Sequence, residues 1–404
     1  MAVYEYMKNS KVTWFRSIPE NWALTTISAI YNLRNEKVSD KDYPPLSVTM
    51  KGVVPQLESA AKTENGDNRK LAKKGDFVIN SRSDRRGSCG ISNYDGSVSL
   101  INTVITPKGK MHPGYYDWLF HTVAFADEFY KWGHGIVNDL WTTHWQEMKR
   151  IIIPVPPFET QVSIATYLND QCAKIDTLIS EAKASIEEYK QWKASLIFEA
   201  VTKGLDPNVE MKDSGVDIIG MMPSSWQLIR VRFLCSVMTG NQDTQNAVDD
   251  GIYPFYVRSP KVERANVYTY DGEGVLMAGD GAGAGRVFHH AFGKYAIHQR
   301  VYCFHDFIGI MPELFCYFME NRFSSEMDKG SAKSTVPSVR LPMLLNFKVC
   351  IPPIYEQKKI INYLNVKCDS IDAIINEKIT LIDSLDSYKK SLIFETVTGK
   401  RKVV

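Results

Sequence analysis

Residues able to hydrogen-bond in several directions at once are concentrated in a few short stretches of this 404-residue chain. The densest is Asn80-Ser81-Arg82-Ser83-Asp84-Arg85-Arg86-Gly87-Ser88, three arginines among small polar residues and a glycine. Arginine carries a planar fork of N–H donors that matches phosphate oxygens and the acceptor edge of guanine; Asn, Gln, Ser and Thr suit other base edges. Further stretches share that character: Trp141-Thr142-Thr143-His144-Trp145, the glycine-rich run from Gly279 to Arg286, His298-Gln299-Arg300, and Lys329-Gly330-Ser331-Ala332-Lys333-Ser334-Thr335. Candidate contact residues for duplex DNA are therefore Asn80, Arg82, Ser83, Arg85, Arg86, Ser88, Thr142, Thr143, Gly281, Arg286, Gln299, Arg300, Lys333, Ser334 and Thr335.

Motifs for bond-making chemistry are harder to find. Asp280-Gly281-Ala282-Gly283-Ala284-Gly285 comes after a β-type run and superficially suits a nucleotide or S-adenosylmethionine loop. Its spacing is not GxGxxG, and Arg286-Val287-Phe288 begins another β-type run, so it reads as a strand-to-strand loop. An amino-methyltransferase needs a polar residue before Pro-Pro to hold the target amine. Here Val155 and Ile351 precede Pro156-Pro157 and Pro352-Pro353. No GxxxxGK[ST] or HExxH motif occurs, and His289-His290 reads as a surface pair. The seven cysteines form no CxxC pair, which argues against a disulfide framework or a zinc ribbon and for a reducing cytoplasm. No run approaches the ~18 apolar residues of a membrane span, and the opening residues show no signal-peptide pattern. A net charge of +2 says little, although residues 1–155 hold 20 basic against 16 acidic side chains.

The elements that must carry these loops are duplicated. Residues 156–203 match residues 352–399 without gaps at 21 of 48 positions, and Ser195-Leu196-Ile197-Phe198-Glu199 recurs intact from Ser391 to Glu395. A shorter repeat opens each half: Met7-Lys8-x-Ser10-x-Val12 with Pro19 and Trp22, and Met211-Lys212-x-Ser214-x-Val216 with Pro223 and Trp226. Each tail reads as a long helix after its Pro-Pro pair. Apolar residues recur at heptad spacing, with Leu168, Ile175, Ile179, Ile186 and Leu196 in the first and Leu364, Ile371, Ile375, Ile382 and Leu392 in the second. About 40 residues make a rod of roughly 60 Å. Leu178, Trp192, Ile374, Leu381 and Tyr388 widen the apolar stripe, enough for partner helices. If the rods pair, connectivity makes them antiparallel and the molecule a ring cut at one junction.

Residues 20–155 and 224–350 mix short β-type runs, such as Gly75–Asn80 and Gly274–Ala278, with helical stretches over Tyr115–Trp132 and Pro312–Asp328. The expected fold is α+β: two similar α/β domains separated by two long antiparallel helices forming a coiled coil, in a pseudo-two-fold circular arrangement. The expected division is 1–155, 156–205 (helical), 206–222 (linker), 223–350 and 351–404 (helical). A duplicated frame around divergent blocks suggests one task performed on two targets. On the residues alone, a DNA-reading subunit, a self-sufficient methyltransferase and a coiled-coil scaffold all stay open.

The twice-used opening motif, the frames Ile153-Pro154-Val155-Pro156-Pro157-x-x-x-Gln161 and Val349-Cys350-Ile351-Pro352-Pro353-x-x-x-Gln357, and the helix ends in Ser-Leu-Ile-Phe-Glu together resemble the specificity subunits of type I restriction-modification systems. Trp14-Phe15-Arg16 and Ile218-Ile219-Gly220 stand where that family often has Trp-Ile-Gly. The resemblance implies that each variable block is a target recognition domain reading half of a bipartite DNA sequence. It implies that the helices fix the spacer and dock two methyltransferase subunits. S-adenosylmethionine, ATP and Mg would then belong to the partner methylation and restriction/translocase subunits, with no cofactor in this chain and no membrane. The alternative is a stand-alone DNA adenine methyltransferase or a modification-only specificity protein.

Overall fold

Two prolines in a row cannot lie inside a helix, and in both repeats they mark the switch from strand to helix. In the computed structural model, which describes residues 4–58, 66–135, 141–330 and 337–403 (the backbone alone of 326–330), strand Ile152–Val155 leads into a first long helix, Phe158–Lys203. Strand Lys348–Ile351 leads into a second, Ile354–Val397. The glutamine three residues into each helix seats it. Gln161 Nε2 donates to the Pro156 carbonyl, and its Oε1 accepts from the His112 amide, both at 2.9 Å. Gln357 Nε2 donates to the carbonyls of Pro352 and Gly309, both at 2.9 Å, and Oε1 accepts from the Met311 amide at 2.8 Å. Both side chains are buried, so their bonds are made away from competing water. The repeated Pro-Pro-x-x-x-Gln is thus a staple between helix start and neighbouring loop.

The chain divides into two compact units, residues 1–182 with 379–404, and residues 183–378. The division cuts both long helices, so each unit owns one variable block and one end of each helix.

In the first unit, the opening motif forms a hairpin, Met7–Asn9 with Ser17–Pro19. Lys8 Nζ ties it to the Glu20 carbonyl at 2.7 Å, and Ser10 Oγ accepts from the Val12 amide. Strand Ala23–Thr26 pairs with Ile152–Val155. The main sheet is four-stranded and antiparallel, in the order Cys89–Ile91, Phe77–Asn80, Asn102–Pro107, Tyr31–Arg34. Arg34 grips the buried Asp76 carboxylate through Nε at 2.6 Å and Nη2 at 3.2 Å, locking the sheet edge to its centre. A smaller sheet holds Lys37–Val38, Arg69–Ala72 and Gly96–Val98. The helical stretch expected over Tyr115–Trp132 is two helices, Pro113–Phe120 and Val123–Lys131. Thr122 interrupts it because its Oγ1 accepts from the Phe125 amide and caps a new helix. An aromatic core of Trp22, Phe77, Tyr115, Tyr116, Phe120, Phe125 and Phe129 fills the space between.

The second unit repeats the plan. Met211–Asp213 pairs with Met221–Pro223, and Gln227–Arg230 with Lys348–Ile351. All of this hairpin except Pro223 lies within residues 206–222, expected to be linker. The main sheet runs Phe288–Ala291, Gly274–Ala278, Val301–His305, Ser236–Thr239, the same order and pairing as in the first unit. Helix Pro312–Gly330 replaces the two shorter helices. The side sheet has four strands, Glu263–Ala265, Tyr253–Tyr256, Lys294–Ile297 and Tyr270–Asp271.

Within each unit the two helix ends run antiparallel. In the first, the Tyr115 hydroxyl near the start of one helix donates to the Val397 carbonyl at the end of the other, at 2.9 Å. Further along, Lys389 Nζ meets both oxygens of Asp176 at 2.6 and 2.7 Å. In the second unit, Lys193 Nζ meets both oxygens of Asp372 at 2.8 and 2.6 Å. Asp176 and Asp372 are repeat equivalents, as are Lys193 and Lys389, so each repeat supplies the acid to one pair and the base to the other. Leu168, Ile175, Ile179 and Leu392 join the first unit's core, with Ile382 packed against it. Leu196, Leu364 and Ile371 join the second, with Ile375 against it, and Ile186 is buried as well. The heptad rows therefore serve block packing at the helix ends as well as helix pairing. Leu178, Trp192, Leu381 and Tyr388 stay about half exposed, outside both cores.

Candidate nucleic-acid interface

In the first unit, the loop Ser81–Ser88 joins two antiparallel strands, Cys89 facing Ile79. Its base is rigid. The Asn80 side chain accepts from the Arg82 amide at 3.0 Å, the Tyr130 hydroxyl donates to the Asn80 carbonyl at 2.9 Å, and the Asn80 amide donates to the Ser88 carbonyl. Thr143 is buried, its Oγ1 donating to the Phe129 carbonyl and its amide to the Ser81 carbonyl. Asn80, Ser88 and Thr143 are buried at the loop's base, and Asn80 and Ser88 also line the cleft beside it. A β-bridge joins Arg82 to Thr142. Ser83 and Arg85 form a 3₁₀ turn with Asp84 between them. Asp84 lies 3.3 Å from Arg82 Nε and 3.8 Å from Arg85 Nε. Arg86 pairs with Asp127, its guanidinium 6.0 Å from the Tyr130 ring centre. Beside the loop opens a cleft of about 750 Å³, walled in part by Arg69, Asp84, Arg85, Arg86 and Asn102. The buried Asn102 Oδ1 in that wall has no hydrogen-bond partner.

In the second unit the corresponding strand, Gly274–Ala278, enters the glycine-rich loop. Gly281 and Gly285 have φ of +76° and +65°, and a Cβ on Gly283 would come within 2.6 Å of the Arg258 carbonyl. The glycines thus serve tight turns and a close chain approach. Six of the loop's amides already donate within the protein: Gly279 to Arg300, Gly281 to Pro337, Ala284 to Gly281, Gly285 to Ala278, and Arg286 and Val287 to Gly283. A phosphate cradle needs such amides free, so the strand-to-strand reading agrees with the geometry. Asp280 at the loop's start lies 3.1 Å from Arg258 Nη1 and 3.7 Å from Arg300 Nε. A bridge joins Asp280 to Ser338, and the Val339 amide donates to the Gly279 carbonyl at 2.7 Å. Gln299 Nε2 donates to Asp243 at 2.6 Å, and the Arg300 amide donates to His298 Nδ1 at 3.0 Å. His298 is held below the ordinary histidine range, first by burial and then by the Arg258 charge. Arg286 is exposed on the far arm of the turn.

The segment equivalent to Thr142-Thr143 is Ser338-Val339, because the bridges Arg82–Thr142 and Asp280–Ser338 occupy the same place in the two sheets. Lys333, Ser334 and Thr335 lie outside the described residues. His289 and His290 are half-buried rather than a surface pair: His290 Nε2 meets Glu273 at 2.9 Å, and His289 Nε2 faces the Ser259 carbonyl. The sequence reading also missed Arg258 as part of the cluster. The Ser338 placement was available from the repeat offset, since residues 142 and 338 are separated by the same interval as the two tails. Arg258 carried no such signal.

Six cysteines are buried and Cys316 is half-buried. Burial pushes the Cys303 thiol to about 11 and those of Cys235 and Cys350 to about 12. At neutral pH they remain thiols, poor as nucleophiles. Among the described residues no group of His, Cys, Asp and Glu is placed to hold a metal ion, and no helix is long and apolar enough to cross a membrane.

Comparison with known proteins places this architecture. Residues 223–383 match the family model of the type I restriction modification DNA specificity domain. The MjaVIII type I specificity subunit of Methanocaldococcus jannaschii is 24% identical over 335 residues, 76% of this chain and 75% of that one. The EcoDI type I specificity subunit of Escherichia coli is 25% identical over 154 residues, 38% of this chain and 34% of that one. A chain from a solved type I restriction-modification system, described in terms of complex assembly and conformational transition, shares the fold with a TM-score of 0.72 at 13% identity, covering 95% of this chain and 99% of that one. The repeated frame, the two equivalent sheets and these similarities agree: residues 223–383 match a type I restriction modification DNA specificity domain, and the chain as a whole is similar to type I specificity subunits in sequence and in fold.

Proposed function

We propose that the blocks within 1–155 and 223–350 are target recognition domains, each reading one half of a bipartite duplex target, and that 156–205 and 351–404 are the helical regions that set the spacer. The observation that carries this reading is one sheet order built twice, with loops of unrelated sequence at the same place in each. A shared frame with divergent loops suits one docking geometry applied to two different base sequences. The chain itself reads and does not methylate or cleave. The internally bonded glycine loop and the protonated thiols support that assignment. Two methyltransferase subunits, bringing S-adenosylmethionine, dock on the helices, where Trp192 and Tyr388 leave apolar surface uncovered. Restriction/translocase subunits bring ATP and Mg. The complex works in the cytoplasm.

The test is to express the chain with its methylation partners and map protected or methylated sites on a randomised duplex library. The expected target has two parts of different sequence separated by a fixed gap. A single palindromic target would refute the reading. Lengthening the first long helix by one heptad, about 10 Å at 1.5 Å per residue, should change the gap and leave both half-sequences as they were.

A further inference from the structure

The two recognition loops differ in sequence, yet each holds the same electrostatic device. In the first unit one carboxylate, Asp84, stands between Arg82 and Arg85, at 3.3 and 3.8 Å. In the second, Asp280 stands between Arg258 and Arg300, at 3.1 and 3.7 Å. Both acids come just after the equivalent central strand, and both loops are tied by a β-bridge to the segment before the Pro-Pro frame. The arginines come from different places: both lie in the loop in the first unit, and they are 42 positions apart in the second. Arrival at one arrangement by two routes points to a requirement of the site.

A carboxylate on a surface meant for DNA repels phosphates, so its presence there needs a reason. An acid between two arginines supplies one. It fixes two long, flexible side chains that would otherwise lose rotamer freedom on binding. In three of the four contacts the atom nearest the acid is Nε, while Arg258 donates to Asp280 from its terminal Nη1 at 3.1 Å. A guanidinium held by its Nε side keeps its terminal pair of N–H groups for another partner. Those donors match O6 and N7 of guanine, the commonest specific contact in the major groove. The arginine side chains are accessible, with Arg85 69% and Arg300 65% exposed. A lone phosphate contact would need neither the acid nor the fork.

We propose that Arg82 with Arg85, and Arg258 with Arg300, read guanine in the two half-sites, and that Asp84 and Asp280 are positioning residues that pre-set them. The proposal rests on the chain being a two-headed DNA reader. Each half-site therefore contains at least one G·C pair contacted from its major groove.

The experiment uses the full chain with its methylation partners and a randomised duplex library, comparing wild type with Arg85→Lys, Arg300→Lys, Asp84→Asn and Asp280→Asn. Circular dichroism confirms folding of each variant. Lysine keeps the charge and loses the fork, so Arg300→Lys should lower discrimination for guanine at one position of one half-site by roughly 5- to 150-fold. Its salt dependence and the other half-site should be unchanged. Arg85→Lys should do the same in the opposite half. Asp280→Asn and Asp84→Asn should relax the same positions as their arginine partners, by a smaller factor. Replacing the affected guanine by 7-deazaguanine should reproduce the arginine loss on wild-type protein. A bipartite target whose sequence is indifferent to all four substitutions, or a relaxed position that is not G·C, would overturn the arginine reading and leave the two-headed reader standing. Absence of any sequence selection by wild type would overturn both.

Discussion

Gln357 gives the sharpest test of how the repeated frame holds a recognition block to its helix. Its buried amide makes three bonds, to the carbonyls of Pro352 and Gly309 and from the amide of Met311. Gln357→Met keeps nearly the same volume and removes all three. Each buried group left without a partner costs about 1–3 kcal/mol, carbonyls toward the lower end because they retain a second lone pair. The sum is about 3–5 kcal/mol for the second unit. Gln161 makes two such bonds, so Gln161→Met should cost about 2–3 kcal/mol in the first. Gln357→Glu separates donor from acceptor. It keeps an acceptor for Met311 but places a carboxylate against two carbonyl oxygens, so it should be at least as damaging as methionine. Urea unfolding gives the size of the loss, and amide exchange at Met311 and His112 assigns it to one unit or the other. A loss below about 1 kcal/mol for Gln357→Met, or a larger one for Gln161→Met, would refute the staple argument.

Other expectations come from the same geometry. Reversing one helix-pairing charge, Asp176→Lys, should destabilise the first unit by about 1 kcal/mol, and the exchange Asp176→Lys with Lys389→Asp should restore most of it; a double-mutant cycle in urea measures the coupling. The depressed His298 makes the unfolded second unit bind more protons than the folded one between the folded value and about pH 6.5. Stability therefore rises with pH across that window and is lost on acidification. Comparing unfolding midpoints at pH 7.5 and 5 should show a slope that His298→Gln flattens.

Some of this molecule is legible in its sequence because local rules control it. Pro156-Pro157, the heptad rows and Gly204 and Gly399, with φ of +78° and +72° just past the helices, belong to that class. So does the duplication, since buried tryptophans, staple glutamines and paired charges must be kept wherever the frame is reused. The likeness of the two blocks is not legible in that way. Their strands are three to six residues long in the main sheets, and burial asks only for some apolar residue at each position. Phe77-Val78-Ile79 and Val275-Leu276-Met277 fill the same place with no identity. The arginine–acid clusters are harder still. Arg258 meets Asp280 only because the Gly283 turn packs on the carbonyl of residue 258, a contact set by topology. Break-points such as Thr122 fail for another reason: one side-chain cap outweighs an otherwise continuous helical pattern.

The division of the chain bears on the order in which it can be built. Residues 183–378 form an uninterrupted segment, complete when residue 378 has been translated. The other unit needs its last portion: Leu392 and Val397 sit in its core, the Tyr115 hydroxyl bonds the Val397 carbonyl, and Gly399 packs on Pro19 and Trp22. On the ribosome, the half made first is therefore the half finished last. Its aromatic interior waits, partly open, for a strip of helix synthesised some two hundred residues later. A frameshift or stop codon near the 3′ end of the reading frame would accordingly cripple the unit encoded at the 5′ end while sparing its neighbour.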